Sequence, residues 1–208
     1  MIFFIADTHF FHSDLLGDNQ FAPRLFDSTA AMNQAMINAW NARVDDNDVV
    51  YHLGDIAMNP ENVPTNASVL AILVQLHGRI TFIKGNHDYR ALFKFLHQND
   101  PGWHGQDKFK FHDVGTIIKA DHRQLFLTHY PMMMGIVHQV LNLHGHIHNS
   151  SVYQEENINV GVDSPERALL PEPLPWGSPL TVPEIEAIYQ AKRAANARTA
   201  CEVGQVRP

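Results

Sequence analysis

Five apolar runs in this chain stop at residues able to bind a cation, and that repetition restricts the fold more than any other feature. "FFIA" runs into Asp7 and His9, "VVYHLG" into Asp55, and "ITFIKG" into Asn86, His87 and Asp88. "LFLT" runs into His129, and "LNLHG" into His146 and His148. Each run is short and bounded by turn formers, the pattern of a buried strand. In an extended segment residues i and i+2 point the same way, so "HGHIH" brings imidazoles together. Functional groups in open α/β sheets gather beyond the carboxyl ends of the strands. The five runs therefore aim their polar ends at one rim.

Between these runs the apolar spacing changes. Residues 29–42 read as a helix, with Met32, Met36, Ala39 and Trp40 at helical spacing and Ser28 or Thr29 as N-cap. Residues 67–78 read as a buried helix closed by Gly78, and 89–98 as a third helix. Strands at 109–113, 116–120 and 124–128 follow, with a hairpin turn at Asp121, His122 and Arg123; "QVLNLHG" and "NINVGVD" add two more. Six prolines between 164 and 183 mark an irregular arm that reads first as a plain connection, with Trp176 as an anchor to the domain surface or a contact for a homodimer as the alternatives. Residues 183–198 read as a final helix with Pro183 in its first turn, and 199–208 as a frayed tail. Helix–strand alternation followed by a run of strands predicts one α/β domain over residues 1–198, with at least one mixed sheet.

Composition narrows the function classes. The net charge is −7 and no run of lysine or arginine occurs, which argues against an extended nucleic-acid footprint. Nucleotides and other small phosphorylated substrates stay open. The one cysteine, Cys201, forms neither an intrachain disulfide nor a thiolate zinc cluster, so a reducing, cytoplasmic setting is expected. No apolar run approaches the ~20 residues of a membrane helix, and "MIFFIADTH" lacks the basic start of a signal peptide. A soluble protein without a membrane partner is expected.

The rim residues comprise two carboxylates, an amide and several imidazoles. Oxygen and nitrogen donors without thiolate suit manganese, iron, zinc or nickel. Seven ligands exceed the four of a tetrahedral zinc site and suit two ions that share a carboxylate. Two ions roughly 3.5–4 Å apart clamp the attacking and leaving oxygens of a displacement at phosphorus and acidify a water between them. Arg24 in "APRLF" is the candidate to fork onto a substrate phosphate, with an exposed or ion-paired role as the alternative. His144, His12 and His52 read as structural despite their proximity to the blocks, and His77, His97, His104, His112, His122 and His138 have no such context. Met132, Met133 and Met134 read as gap fillers first, with an apolar substrate wall beside His129 as the alternative.

"DTH" (7–9), "GD" (54–55), "GNHD" (85–88), "TH" (128–129) and "GHIH" (145–148) resemble, in order, the five motif blocks of the calcineurin-like metallophosphoesterases. The resemblance covers residues 1 to about 163, and "MIFFIADTHFFH" is similar to small bacterial and phage-type members. It implies a four-layer α/β/β/α sandwich, two mixed β-sheets flanked by helices. It also implies two divalent ions, Mn²⁺ first among them: Asp7, His9 and His148 at one, Asn86, His129 and His146 at the other, Asp55 bridging. His87 is similar to the family's catalytic histidine, with Asp88 expected to orient it. The implied activity is hydrolysis of a phosphodiester or phosphomonoester by a metal-bridging hydroxide, without a phosphoenzyme. A catalytically silent interaction scaffold on the same fold is the competing reading, and presence of every motif residue weighs against it. A metallo-β-lactamase-type hydrolase lacks its HxHxDH block here.

Overall fold

The computed structural model describes residues 1–58, 65–135 and 139–205. The chain begins with β1 (Ile2–Ile5), α1 (Thr29–Asn41), β2 (Val49–His52), α2 (Asn66–Leu73), β3 (Arg79–Ile83), α3 (Arg90–Gln98) and β4 (Phe109–His112). Each βα crossover returns the chain parallel to its predecessor, so β1 to β4 form a parallel run. The hairpin of β5 (Gly115–Ala120) and β6 (Arg123–Thr128) then opens a second sheet, completed by β7 (Val140–His144) and β8 (Asn157–Asn159). Its turn residues Asp121 and His122 take φ of 46° and 61°, the left-handed region a tight hairpin needs. Finally β9 (Leu180–Thr181) pairs antiparallel with β1, and α4 (Val182–Gln205) ends the chain. The sheet orders are β4-β3-β2-β1-β9 and β5-β6-β7-β8.

Alternation along the strands divides the core in two. Phe3, Ile5, Val50, Ile80 and Phe82 meet Met32, Met36 and Trp40 of α1, Val69 and Leu73 of α2, and Leu92 and Leu96 of α3. Phe4 faces the other way and joins Leu125, Leu127, Leu141, Leu143 and Ile158 of the second sheet, with Ile185 and Ile188 of α4. The fold is thus the expected α/β arrangement of two mixed sheets flanked by helices. Ser28 caps α1 by accepting the Ala31 N–H at 3.1 Å.

Several local expectations are corrected. Helix α2 ends at Leu73, and Gly78, at φ 77°, turns the chain into β3 rather than closing the helix. Only Asn157–Asn159 of "NINVGVD" joins the ladder. Beyond it the chain crosses between sheets: the Val160 N–H donates to His144 O at 2.8 Å, and the Val162 N–H to Ala6 O at 3.1 Å. This crossing joins the carboxyl ends of β1 and β7. The proline-rich arm contains a 3-10 turn, Pro165–Leu169, and delivers β9. Helix α4 runs past 198 to Gln205, so the start of the expected tail is helical. Trp176 is tied to its own domain, donating to Asp163 Oδ1 at 3.2 Å and meeting the Phe26 ring at 5.0 Å. His138 lies outside the described residues. Among the described residues no helix is long and apolar enough to cross a membrane.

One buried imidazole makes acid stability testable. His52 is fully buried beside Thr8, Nε2 to Oγ1 at 2.8 Å, and burial lowers its pKa from 6.5 to about 3. Between those values the unfolded chain holds a proton that the folded chain lacks, so this group's contribution is intact above about pH 6.5 and lost as pH falls. We expect His52→Gln to reduce the slope of unfolding free energy against pH, between 6 and 4, by about 1.4 kcal/mol per pH unit. Urea titrations at several pH values check this; an unaltered slope would contradict it.

Candidate metal centre

The loops that follow β1, β2, β3, β6 and β7 meet at one rim and are latched backbone to backbone. The Asp7 N–H donates to Gly54 O and the His9 N–H to Asp55 O, both at 3.0 Å, while the Gly145 N–H reaches His129 O at 3.0 Å. Two ligand trios result: Asp7, His9 and His148, and Asp55, His129 and His146, each with donor atoms within 4.8 Å of one another. The side-chain donors of the two trios meet at the Asp55 carboxylate. Asp55 Oδ2 lies 3.5 Å from His9 Nε2 and 3.4 Å from His129 Nε2. Asn86 joins the second trio, its Oδ1 2.8 Å from both His129 Nε2 and His146 Nδ1. All seven residues expected to be ligands are therefore brought together.

The donor set fits cations. His129 Nδ1 faces the Leu53 carbonyl at 2.8 Å and so carries a proton, which leaves the Nε2 lone pair of the neutral ring aimed at the oxygens of Asn86 and Asp55. Acceptors that converge in this way require a proton or a metal ion between them. Both ring nitrogens of His9 are buried without a hydrogen-bond partner. Such orphaned groups cost ~1–3 kcal/mol each unless something binds them.

Electrostatics point the same way. Burial raises Asp7 from 3.8 to about 6, and burial holds His9 well below its ordinary value. Burial also opposes ionisation of Asp55, but the hydrogen bond and charge of His129, with the charge of His9, carry it below the usual carboxylate range. Burial would lower His129, and the Asp55 carboxylate outweighs it and raises the imidazole. Positive charge is drawn to the midpoint of the site.

The backbone is strained where the candidate ligands sit. Asp7, His9, Asp55, His146 and His148 have φ of 57°, 44°, 57°, 72° and 43°, a region non-glycine residues rarely adopt. Gly145 and Gly161 let two strand ends close on Asp7, since a Cβ on either would stand 2.7 Å from Asp7 Oδ2. The His146 N–H meets both Asp7 carboxylate oxygens at 3.0 Å.

Two sequence expectations change. Asp88 makes no hydrogen bond to the His87 ring. Its buried carboxylate accepts the N–H groups of Asp55 (2.8 Å), Ile56 (2.9 Å) and Gly85 (2.8 Å), clamping the β2 and β3 loops together. Arg24 is 1% exposed and has no N–H left for a phosphate. It forks onto Asp163 at 2.7–3.2 Å, donates to Asp7 O at 2.7 Å and Thr8 O at 2.8 Å, and meets the Met32 sulfur. Arg24 therefore holds the β1 loop. Asp163 went unnoticed in the sequence, although it follows the "NINVGV" run as the ligands follow theirs. Its Oδ2 lies 3.4 Å from His148 Nδ1 and so braces a ring of the first trio. His144 stays out of both trios, its Nδ1 2.9 Å from Gly145 O. His87 is partly exposed, with its ring centroid 5.2 Å from that of His9 and its N–H on Asp55 Oδ1 at 2.8 Å.

The model of the calcineurin-like phosphoesterase family matches residues 1–194. The chain belongs to that family. An uncharacterized protein of Methanocaldococcus jannaschii, MJ1445, is 30% identical over 141 residues, covering 64% of this chain and 74% of that relative. The crystal structure of AQ665, a protein of unknown function from Aquifex aeolicus, superposes with a TM-score of 0.58 at 22% identity. It covers 89% of this chain and 97% of that one, and shows the fold alone. Membership and the two trios together make this a metal-dependent phosphoesterase in general terms.

In this phosphoesterase the supporting carboxylates should be separable by measurement. Asp163→Ala is expected to weaken divalent-ion binding by about 10–100-fold, read by calorimetric titration with Mn²⁺. Asp88→Ala orphans three buried N–H groups and should lower unfolding free energy by ~1–3 kcal/mol for each. Unchanged ion affinity in the first variant, or unchanged stability in the second, would contradict these roles.

Proposed function

We propose that the protein is a dinuclear phosphoric ester hydrolase. The carrying observation is the contact of both trios with Asp55 Oδ2, at 3.5 Å and 3.4 Å, which makes Asp55 the residue that two ions would share. Asp7, His9 and His148 would hold one ion, and Asn86, His129 and His146 the other. Divalent cations there supply Lewis-acid charge at phosphoryl oxygens and lower the pKa of an attacking water. Mixed oxygen and nitrogen donors without thiolate support Mn²⁺ as the first choice, with Fe, Zn and Ni as alternatives.

The reaction is hydrolysis by direct displacement. The oxygen of a water that has released one proton to solvent would bond to phosphorus as the ester P–O bond breaks, and the departing oxygen would take a proton from the protonated His87 ring, which solvent then reprotonates. His87 suits that role because it stands beside His9 while remaining partly exposed, and its backbone is anchored to Asp55. Asp88 acts indirectly, by fixing the loop that carries His87. Diesters rank ahead of monoesters: Arg24 is fully engaged and offers no fork for the second negative charge of a monoester. A single cysteine supports a cytoplasmic setting.

The test is hydrolysis of bis-p-nitrophenyl phosphate and p-nitrophenyl phosphate by Mn²⁺-loaded protein, before and after chelation. Turnover should depend on metal and favour the diester. His87→Asn should retain bound metal while kcat falls by about 10²–10⁴. Absence of metal-dependent release from either ester would overturn the enzymatic reading, and an undiminished kcat in His87→Asn would remove that residue from the mechanism.

A further inference from the structure

Two aromatic rings stand exposed on the candidate centre, one against each trio. Phe21 is 54% exposed, yet its ring centroid lies 4.3 Å from that of His148. Tyr130 is 52% exposed, with its centroid 4.5 Å from His146 and 5.1 Å from His129. Each ring thus covers a ligand imidazole with part of its surface and leaves the rest to solvent.

The backbone that carries each ring is fixed by hydrogen bonds. Asn19 Oδ1 accepts the N–H of Phe21 at 3.1 Å and of Ala22 at 2.7 Å, and its amide nitrogen reaches Leu15 O at 3.2 Å. On the other side, the Thr128 hydroxyl donates to Tyr130 O at 2.7 Å, and the Met132 N–H to Asn142 Oδ1 at 2.8 Å. A ring carried on a fixed backbone and packed on an imidazole loses less conformational freedom when a flat partner stacks on it. The Tyr130 hydroxyl has no hydrogen-bond partner among the described residues, so the ring's position is set by its faces.

Arg24 adds nothing to the grip on a substrate. The guanidinium of Arg24 is spent on Asp163 and on backbone carbonyls, so recognition beyond the phosphoryl group falls to apolar and aromatic surface. A plain alkyl or sugar phosphate has nothing flat to lay on such rings. A nucleobase does, and stacking on aromatic side chains tolerates any base because every base has a π-face.

We infer that Phe21 and Tyr130 are specificity-determining residues that stack an aromatic ring of the substrate, which makes the substrate class nucleobase-bearing phosphoesters. The inference rests on the phosphoesterase reading above and adds to it the chemistry of the group attached to phosphorus.

The experiment compares matched esters with and without the base on Mn²⁺-loaded protein: the methyl ester of adenosine 5′-monophosphate against that of ribose 5-phosphate, followed by ³¹P nuclear magnetic resonance. The base-bearing ester should show a kcat/KM at least about tenfold higher, a modest value for one stacked base. In Phe21→Ala and Tyr130→Ala that ratio should fall toward one, through KM rather than kcat. A ratio near one in the unaltered protein, or variants that slow both esters equally, would overturn the inference. Binding of adenosine 5′-monophosphate and ribose 5-phosphate, measured by calorimetry, decides the matter independently of turnover. Preference for the base, lost in the variants, supports stacking even if neither ester is cleaved, an outcome that would count against the phosphoesterase reading alone. Equal binding of the two would overturn stacking. Preference for bis-p-nitrophenyl phosphate over both matched esters would assign the rings to small aryl groups and overturn the nucleobase class.

Discussion

The Asp55 carboxylate is the contact on which the rest of the site depends. One of its oxygens serves both ligand trios, at 3.5 Å from His9 and 3.4 Å from His129, and the other accepts the His87 N–H at 2.8 Å. A single side chain thus connects the loops after β1, β2, β3 and β6. The position is costly: Asp55 is 1% exposed and sits at φ 57°. Buried charge and left-handed backbone are both unfavourable on their own. They persist because Asp88 holds the Asp55 loop and because the surrounding imidazoles supply positive charge or accept it from an ion.

The scaffold behind the rim is built to carry that cost. Parallel strands β1 to β3 end together, so their loops emerge side by side, and the Asn159–Val162 crossing ties β7 to β1 at the same level. Arg24 and Asp163 brace this junction from behind. Arg24 fixes the carbonyls of Asp7 and Thr8, Asp163 braces His148, and Trp176 seals the pair with an N–H to Asp163 and its ring 5.2 Å from the guanidinium. Strain at the ligands is therefore offset by buried hydrogen bonds one layer further in, which is how a rim can hold its donors in place before any ion arrives.

Much of this was legible in the sequence because it depends on local pattern. Apolar runs that stop at Asp7, Asp55, Asn86, His129 and His146 give strand and ligand together, and a strand delivers its last residue to a predictable rim. Tertiary reuse of a side chain was not legible. Asp88 lies next to His87 in sequence, yet its carboxylate turns to three backbone N–H groups of neighbouring loops. Sequence left Arg24 open between a phosphate fork and an ion pair, because its partner Asp163 lies 139 residues away, a separation that no local pattern reveals. The short strand β9 was hidden among prolines, since two residues of ladder leave no alternation to read. Exposure of Phe21 and Tyr130 beside the histidines likewise depends on loop closure, not on spacing.

The most direct measurement of the central claim is the stoichiometry of divalent ions bound by the unaltered protein and by Asp55→Ala, from elemental analysis after equilibration with Mn²⁺ and desalting. A shared carboxylate predicts two ions per chain in the first case and marked loss at both positions in the second. One ion per chain in the unaltered protein, or two ions undisturbed by loss of Asp55, would contradict it.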